Sequence, residues 1–181
     1  MWNAVLLQAQ TVREVFISLP EPILLDLSTN DRMDLIDLYD VGQKAVVLNS
    51  LGDSLTIEIL TDNYLLLKKG NSSLQIAVLT MINESKLYFL IHTACAPVCD
   101  SQIGFYSVNW TKLDSEIFIS PITNEGLDIS LMQFTFNPET QTLQQKNNTH
   151  KLLSLEDQEK IKASIKEEEK EYQWNGIRFS F

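Results

Sequence analysis

Cysteine and histidine are scarce in this chain of 181 residues, with two of each: Cys95, Cys99, His92 and His150. A zinc framework normally joins two tight pairs of ligands, and no second pair exists here. A complete site at His92, Cys95 and Cys99 would have to recruit carboxylates such as Asp100. Basic residues are also few. Fourteen Lys and Arg stand against 24 Asp and Glu, for a net charge of −10. Nucleic acids and anionic membrane surfaces select clustered positive charge, so this balance excludes them as partners. No apolar run approaches the ~20 residues of a transmembrane helix. No cofactor fingerprint and no convergent catalytic set is visible, so no catalytic, cofactor-binding or metal-binding residue is assigned.

What is present is ordinary for a folded protein: 44% hydrophobic and 21% charged residues. The pattern begins helical. Val12, Val15, Phe16 and Leu19 recur at helical spacing until Pro20 and Pro22 intervene. Ser28 with Asp31 reads as a capping box for a second helix, and Gly42 falls where its C-terminal cap belongs. Beyond Gly42 the period becomes two. SLTIEIL places Leu55, Ile57 and Ile59 on one side. Two strands flank the turn Gly70-Asn71-Ser72-Ser73, and KLYFLIHT and QIGFYSVNW follow. Only brief connections separate these strands, so they predict an antiparallel meander rather than parallel crossovers. After a looser stretch from Thr111, Met132, Phe134 and Phe136 alternate before the turn Asn137-Pro138-Glu139-Thr140. LSLEDQEKIKASIKEEEKEY reads as a last helix, capped by Ser154 and Asp157, and Asn175-Gly176 marks a closing hairpin. The fold class is therefore α+β: an antiparallel β-sheet meander packed by N-terminal helices and a C-terminal helix. It is expected to be one domain over residues 11–181. Ile57, Ile59, Ile76, Val78, Phe89, Phe105, Phe134 and Phe136 should form the core, with Trp110 and Trp174 at its borders. The two Leu-Ser-x-x-Asp helix starts are the same capping chemistry used twice.

Several short motifs resolve into structural roles. Gly52-Asp53-Ser54-Leu55 spells the nucleophile block of an esterase family, but a strand pattern follows where a helix is needed. Asn147, not Asp, precedes His150 by three residues, and Phe89 precedes His92. A polar turn from Asn49 to Ser54 accounts for the sequence. A hydrolase in which Ser54 meets a distant His remains the alternative function. Asp34, Asp37 and Asp40 lie opposite the apolar arc of Leu35, Ile36, Leu38 and Tyr39, so they read as a solvated helix face, with Asp31 favoured by the helix dipole. The acidic stretch IKEEEKEYQ reads likewise as helix surface.

Cys95 and Cys99 are the disulfide candidate. Ala96-Pro97-Val98 between them invites a turn that would bring the sulfurs within reach, whereas an extended strand would not. Two buried thiols are the competing reading. A redox centre would want basic neighbours, which the local sequence lacks. The start, AVLLQAQ, reads either as the tail of an export signal or as an ordinary N-terminal segment, because no basic n-region precedes it.

LPEPILLDLSTNDRMDLID, LTDNYLLLK, CAPVCDSQIGFYSVNW and YQWNGIRF occur in this order from about Val12 to Phe179. In these blocks the chain resembles domain-of-unknown-function family 3256 of gut Bacteroidales. The resemblance implies a small secreted or periplasmic protein with an N-terminal export signal. That favours the signal-remnant reading and agrees with a disulfide. It brings no catalytic residues. The expected function is a non-enzymatic, exported binding or protein-interaction module for a protein or small-molecule partner.

Overall fold

The structure is a computed structural model that describes residues 10–24, 27–49, 51–122, 130–153, 156, 158 and 169–181. The expected export-signal segment before Gln10 and the Ser154–Asp157 cap fall outside the described residues. Helix α1 (Val12–Ile17) opens on a capping box, in which the Thr11 hydroxyl accepts from the Glu14 amide and the Glu14 carboxylate accepts from the Thr11 amide. Helix α2 (Thr29–Asp40) uses the anticipated box of Ser28 and Asp31. It ends as Gly42 predicts. Gly42 sits at φ +71°, its N–H donates to Tyr39, and the Gln43 N–H donates to Leu38. This double bond satisfies two terminal carbonyls, and the left-handed position suits a residue without Cβ. Leu35 and Ile36 are buried while Asp34, Asp37 and Asp40 are exposed, so the acidic face is a solvated one.

The middle of the chain is a meander, with seven antiparallel strands adjacent in space in chain order. They are β1 (Val46–Leu48), β2 (Ser54–Leu60), β3 (Tyr64–Lys69), β4 (Ser72–Thr80), β5 (Lys86–Cys95), β6 (Cys99–Tyr106) and β7 (Lys112–Leu113). The β3–β4 turn is tighter than expected. It uses only Gly70 and Asn71, with Gly70 at φ +53°. One core expectation fails. The β2–β3 register shifts between Ile57 and Ile59, so the alternation slips by one residue. Leu60 then takes the inward place, and Ile59 is 41% exposed. A bulge of this kind sends every later side chain to the other face.

The later strands form a second sheet, where the sequence suggested a single one. Its strands are β8 (Met132–Asn137), β9 (Thr142–Asn147), β10 (Glu169–Trp174) and β11 (Phe179–Ser180), ordered β11-β10-β9-β8. Helix α3 (Ser115–Phe118) lies in the connection and buries Phe118, with Ile119 just beyond it. The last helix, read as reaching Tyr172, is corrected at its end. Glu169–Trp174 is a strand paired with β9. Tyr172 and Trp174 point inward while Glu169, Glu171 and Gln173 are exposed, a period of two that outweighs the helix preference of the glutamates. The Trp174 indole N–H donates to the Thr80 carbonyl at 3.0 Å, the partner expected of an indole at a core border. Trp110 is half-buried against Tyr88, with ring centroids 4.9 Å apart.

Two cores result, one on each face of the meander. Val12, Val15, Phe16 and Leu35 from the helices meet Leu55, Ile57, Leu65, Leu67, Ile76 and Leu90. On the other face Tyr64, Phe89, Ile91 and Phe105 meet Phe134, Phe136, Leu143, Tyr172 and Phe179 of the second sheet. The order of layers is helices, seven-stranded sheet, four-stranded sheet.

Candidate functional site

Register decides what faces the second sheet. Tyr64, Ala77, Phe89 and Phe105 lie in one row across β3 to β6. The next row is Leu66, Gln75, Ile91 and Ile103, and the next Lys68, Ser73, Thr93 and Ser101. The face thus passes from aromatic to polar within two rows. The polar end begins where β8 lies against β5 and β6.

Strand β8 is the edge of its sheet, and the N–H groups of Met132, Phe134 and Phe136 have no partner strand. Side chains of the first sheet take that place. Met132 N–H donates to Asp100 Oδ1 (2.8 Å), Phe134 N–H to Ser101 Oγ (3.0 Å) and Phe136 N–H to Gln75 Oε1 (3.0 Å). The Gln75 amide also donates to the Phe134 carbonyl at 3.5 Å, so it behaves like one residue of a missing strand. Two of the acceptors are themselves supported. Thr93 Oγ1 lies 2.8 Å from Ser101 Oγ, and the Tyr64 hydroxyl donates to Gln75 Oε1 at 3.1 Å. Burial pushes the Tyr64 phenol up to about 12, so it stays a neutral donor. Gln75, Thr93 and Ser101 are all under 10% exposed, and at that depth an unsatisfied backbone amide would be costly.

Beside this seam the second sheet leaves the first uncovered, and a cleft of about 330 Å³ remains. Its floor is Leu66, Lys68, Ser73, Gln75 and Thr93, and its wall is Gln133, Phe134 and Thr135 of β8. Asn71 and Cys95 close one end. Among the described residues, the side chains of Lys68, Asn71, Ser72, Ser73 and Thr135 make no hydrogen bond or ion pair within the protein. Among the described residues Lys68 is the cleft's one charged side chain. The arrangement can hold a hydrogen-bonding ligand against a preformed polar floor.

Cys95 and Cys99 are directly opposed in the last register pair of the β5–β6 hairpin, with Cα atoms 3.9 Å and sulfurs 2.01 Å apart. The turn between them contains a cis Ala96–Pro97 peptide. The Asn148 side-chain amide donates to the Cys99 carbonyl at 3.0 Å, which ties this hairpin to the second sheet. The other members of the conceivable metal set are dispersed. His92 is on the helix-side face, opposite Cys95 in the strand alternation, and Asp100 is engaged with β8. Among the described residues no three His, Cys, Asp or Glu side chains gather as metal ligands would.

Ser54 stands alone. It is the exposed first residue of β2, after a turn in which Asn49 Oδ1 accepts from the amides of Leu51 (3.0 Å) and Asp53 (2.7 Å). His92 is three strands away, at least roughly 14 Å at ordinary strand spacing, and on the opposite face. His150 belongs to the turn Thr149–Leu152 after β9, its Nδ1 buried without a partner among the described residues. The structure brings Ser54 to neither histidine.

Sequence reasoning missed Lys68, Gln75, Thr93 and Ser101. A signal was present. Gln75 on β4 and Thr93 on β5 break otherwise apolar runs, as in SLQIAVL and FLIHTA, where a buried strand should read continuously hydrophobic. It also missed Arg32, which is 2% exposed. One terminal nitrogen of its guanidinium donates to the carbonyls of Phe16 (3.0 Å), Ile17 (3.0 Å) and Leu19 (2.7 Å), capping the end of α1. Burial lowers its pKa, and Glu21 opposes that shift.

Helices on one face of a seven-stranded meander, with a four-stranded sheet on the other, define an α+β protein dominated by antiparallel sheet. The chain belongs to the family described as Protein of unknown function (DUF3256), which matches residues 4–126 and 122–179. A solved domain of an uncharacterized protein from Porphyromonas gingivalis W83 is similar to it with TM-score 0.78. That likeness covers 95% of this chain and 99% of the other at 22% identity, which speaks for the fold alone. No curated protein matches the chain.

Proposed function

We propose that residues 11–181 act as one exported, non-enzymatic binding module whose ligand sits in the cleft between the sheets. The observation that carries this reading is a lining of Lys68, Asn71, Ser72, Ser73 and Thr135, side chains that bond to no other group among the described residues, on a floor fixed by the Gln75 and Ser101 bonds. Such groups are energetically ready for a partner and need no rearrangement to meet it. The ligand is polar, neutral or singly negative, and is either a small molecule or a polar segment of a protein. Export is supported by the pairing of the two cysteines, since disulfides persist in oxidising compartments. Among the described residues no helix is long and apolar enough to cross a membrane.

Amide-shift mapping of nitrogen-15-labelled protein against sugars, dipeptides and small organic phosphates tests the binding site. Shifts centred on Ser72, Ser73 and Thr135, weakened in Lys68→Ala, are expected. Absence of any response at these residues across the panel would remove the cleft as the site. Fractionation of the native host tests export separately.

A further inference from the structure

The opposite face of the seven-stranded sheet carries a second, chemically different cavity. Helices α1 and α2 lie over β1 to β4, and their core reaches Tyr88 and Leu90 on the helix-side face of β5; beyond these, His92, Gln102 and Lys112 of β5 to β7 line an open groove. There the register stacks His92 beside Gln102, Leu90 beside Gly104, and Tyr88 beside Tyr106 and then Lys112. Gly104 is the low point between two polar rows. A Cβ at this position would come within 2.9 Å of the Tyr106 ring and 3.2 Å of its hydroxyl. The tyrosine therefore lies along the sheet over the glycine, its hydroxyl directed into the depression. Pro22 and Ile23, in the single turn Glu21–Ile23 between the helices, form the rim. The groove encloses about 300 Å³.

Its lining has an apolar side (Pro22, Ile23 and the buried Leu90) and a polar side (His92, Gln102, Tyr106 and Lys112). Among the described residues, none of these four polar side chains makes a hydrogen bond or ion pair within the protein. Burial lowers the His92 pKa and raises that of Tyr106. Both are therefore uncharged near neutral pH and available for hydrogen bonding, which leaves Lys112 as the cation of the groove. Polar groups converging from both sides on a small apolar floor in a preformed groove can orient a small molecule.

We propose that this groove binds a small organic acid, with its apolar body on Pro22, Ile23 and Leu90 and its carboxylate between Lys112 and the hydroxyl of Tyr106. His92 and Gln102 select for polar substituents on the body. The site is separate from the cleft between the sheets, because His92 and Thr93 project from opposite faces of β5.

The test is an amide-shift titration of the labelled protein with phenylacetate and hexanoate, each beside its primary amide. Saturable shifts at Leu90, His92 and Gly104 are expected with the acids at millimolar concentration. The amides should bind more weakly. Lys112→Gln, an exposed substitution, should weaken the acids by about tenfold, the loss of one charge-assisted contact, and leave the amides unchanged. Gly104→Ala, which displaces the Tyr106 ring, should abolish binding while the rest of the spectrum stays folded. Equal affinity for acid and amide, no effect of Lys112→Gln, or no saturable shift in the groove would each overturn the proposal. Shifts confined to Ser72, Ser73 and Thr135 would overturn it while leaving the cleft reading intact.

Discussion

Two single side chains hold positions that nothing else in the fold could fill. Arg32 occupies an apolar face of α2, one turn before Leu35 and Ile36, and serves as the C-terminal cap of α1. It donates to three carbonyls, of which that of Phe16 also accepts from the Leu19 amide. Arg32→Met keeps the packing of the stem and removes the donors, so it should destabilise by roughly 2–4 kcal/mol in urea unfolding. A loss below about 1 kcal/mol would mean that water replaces the guanidinium at those carbonyls. Tyr64 is the second. Its folded pKa is raised by burial from 10.0 to about 12, so the folded state holds its proton longer than the unfolded chain does. The stability this contributes is complete below pH 10 and is lost as pH rises through about 12. Unfolding free energy should therefore fall in that window, by on the order of 1 kcal/mol per pH unit from this group. Tyr64→Phe should remove that part of the slope, together with one tyrosinate step near pH 12 in the absorbance titration.

At the scale of elements, the unusual feature is that an edge strand is completed by side chains. Amides at alternate positions of an ordinary exposed edge exchange rapidly with solvent. Here Met132, Phe134 and Phe136 should be protected in hydrogen exchange, because Asp100, Ser101 and Gln75 accept from them. Gln75→Leu leaves the Phe136 amide and the Tyr64 hydroxyl unsatisfied. It should cost roughly 2–3 kcal/mol and expose the Phe136 amide to exchange first. Gln145 repeats the device elsewhere. Its amide donates to the Ile122 carbonyl and accepts from the Ile122 amide, both at 2.8 Å, which holds the connection against β9. The Cys95–Cys99 hairpin is a smaller fastening. It closes a short loop, so replacing both residues by Ala should lower stability by no more than about 2 kcal/mol. Intact mass before and after alkylation without reductant reads the same pair, and a bridged pair leaves the mass unchanged.

For the whole molecule, packing in layers explains which expectations held and which did not. The helix start at Ser28, the stop at Gly42, the strands from Ser54 to Tyr106 and the turns at Asn137 and Asn175 were legible because each rests on neighbours within a few residues. The division into two sheets was not. Met132, Phe134 and Phe136 alternate in the same way whether they extend the first sheet or lie across its face. The same holds for Ile59, whose outward turn depends on a register slip against β3. Glu169–Trp174 shows the balance most clearly, since its alternation was readable but the run of glutamates before it argued for helix.

Local sequence was enough to read the class of the fold, the acidic solvated face of α2, the turn at Asn49–Ser54 and the proximity of Cys95 to Cys99. These are consequences of local propensity, capping and short-range chain geometry. Only the tertiary structure decided that Ser54 has no histidine, that Arg32 is buried, and that Lys68, Gln75, Thr93 and Ser101 share one polar seam. It also decided that His92, Gln102, Tyr106 and Lys112 line one groove. Those residues come from strands whose order and register are set by burial of apolar surface on both sides of the sheet. Long-range burial of that kind has no signature in any one stretch of the chain.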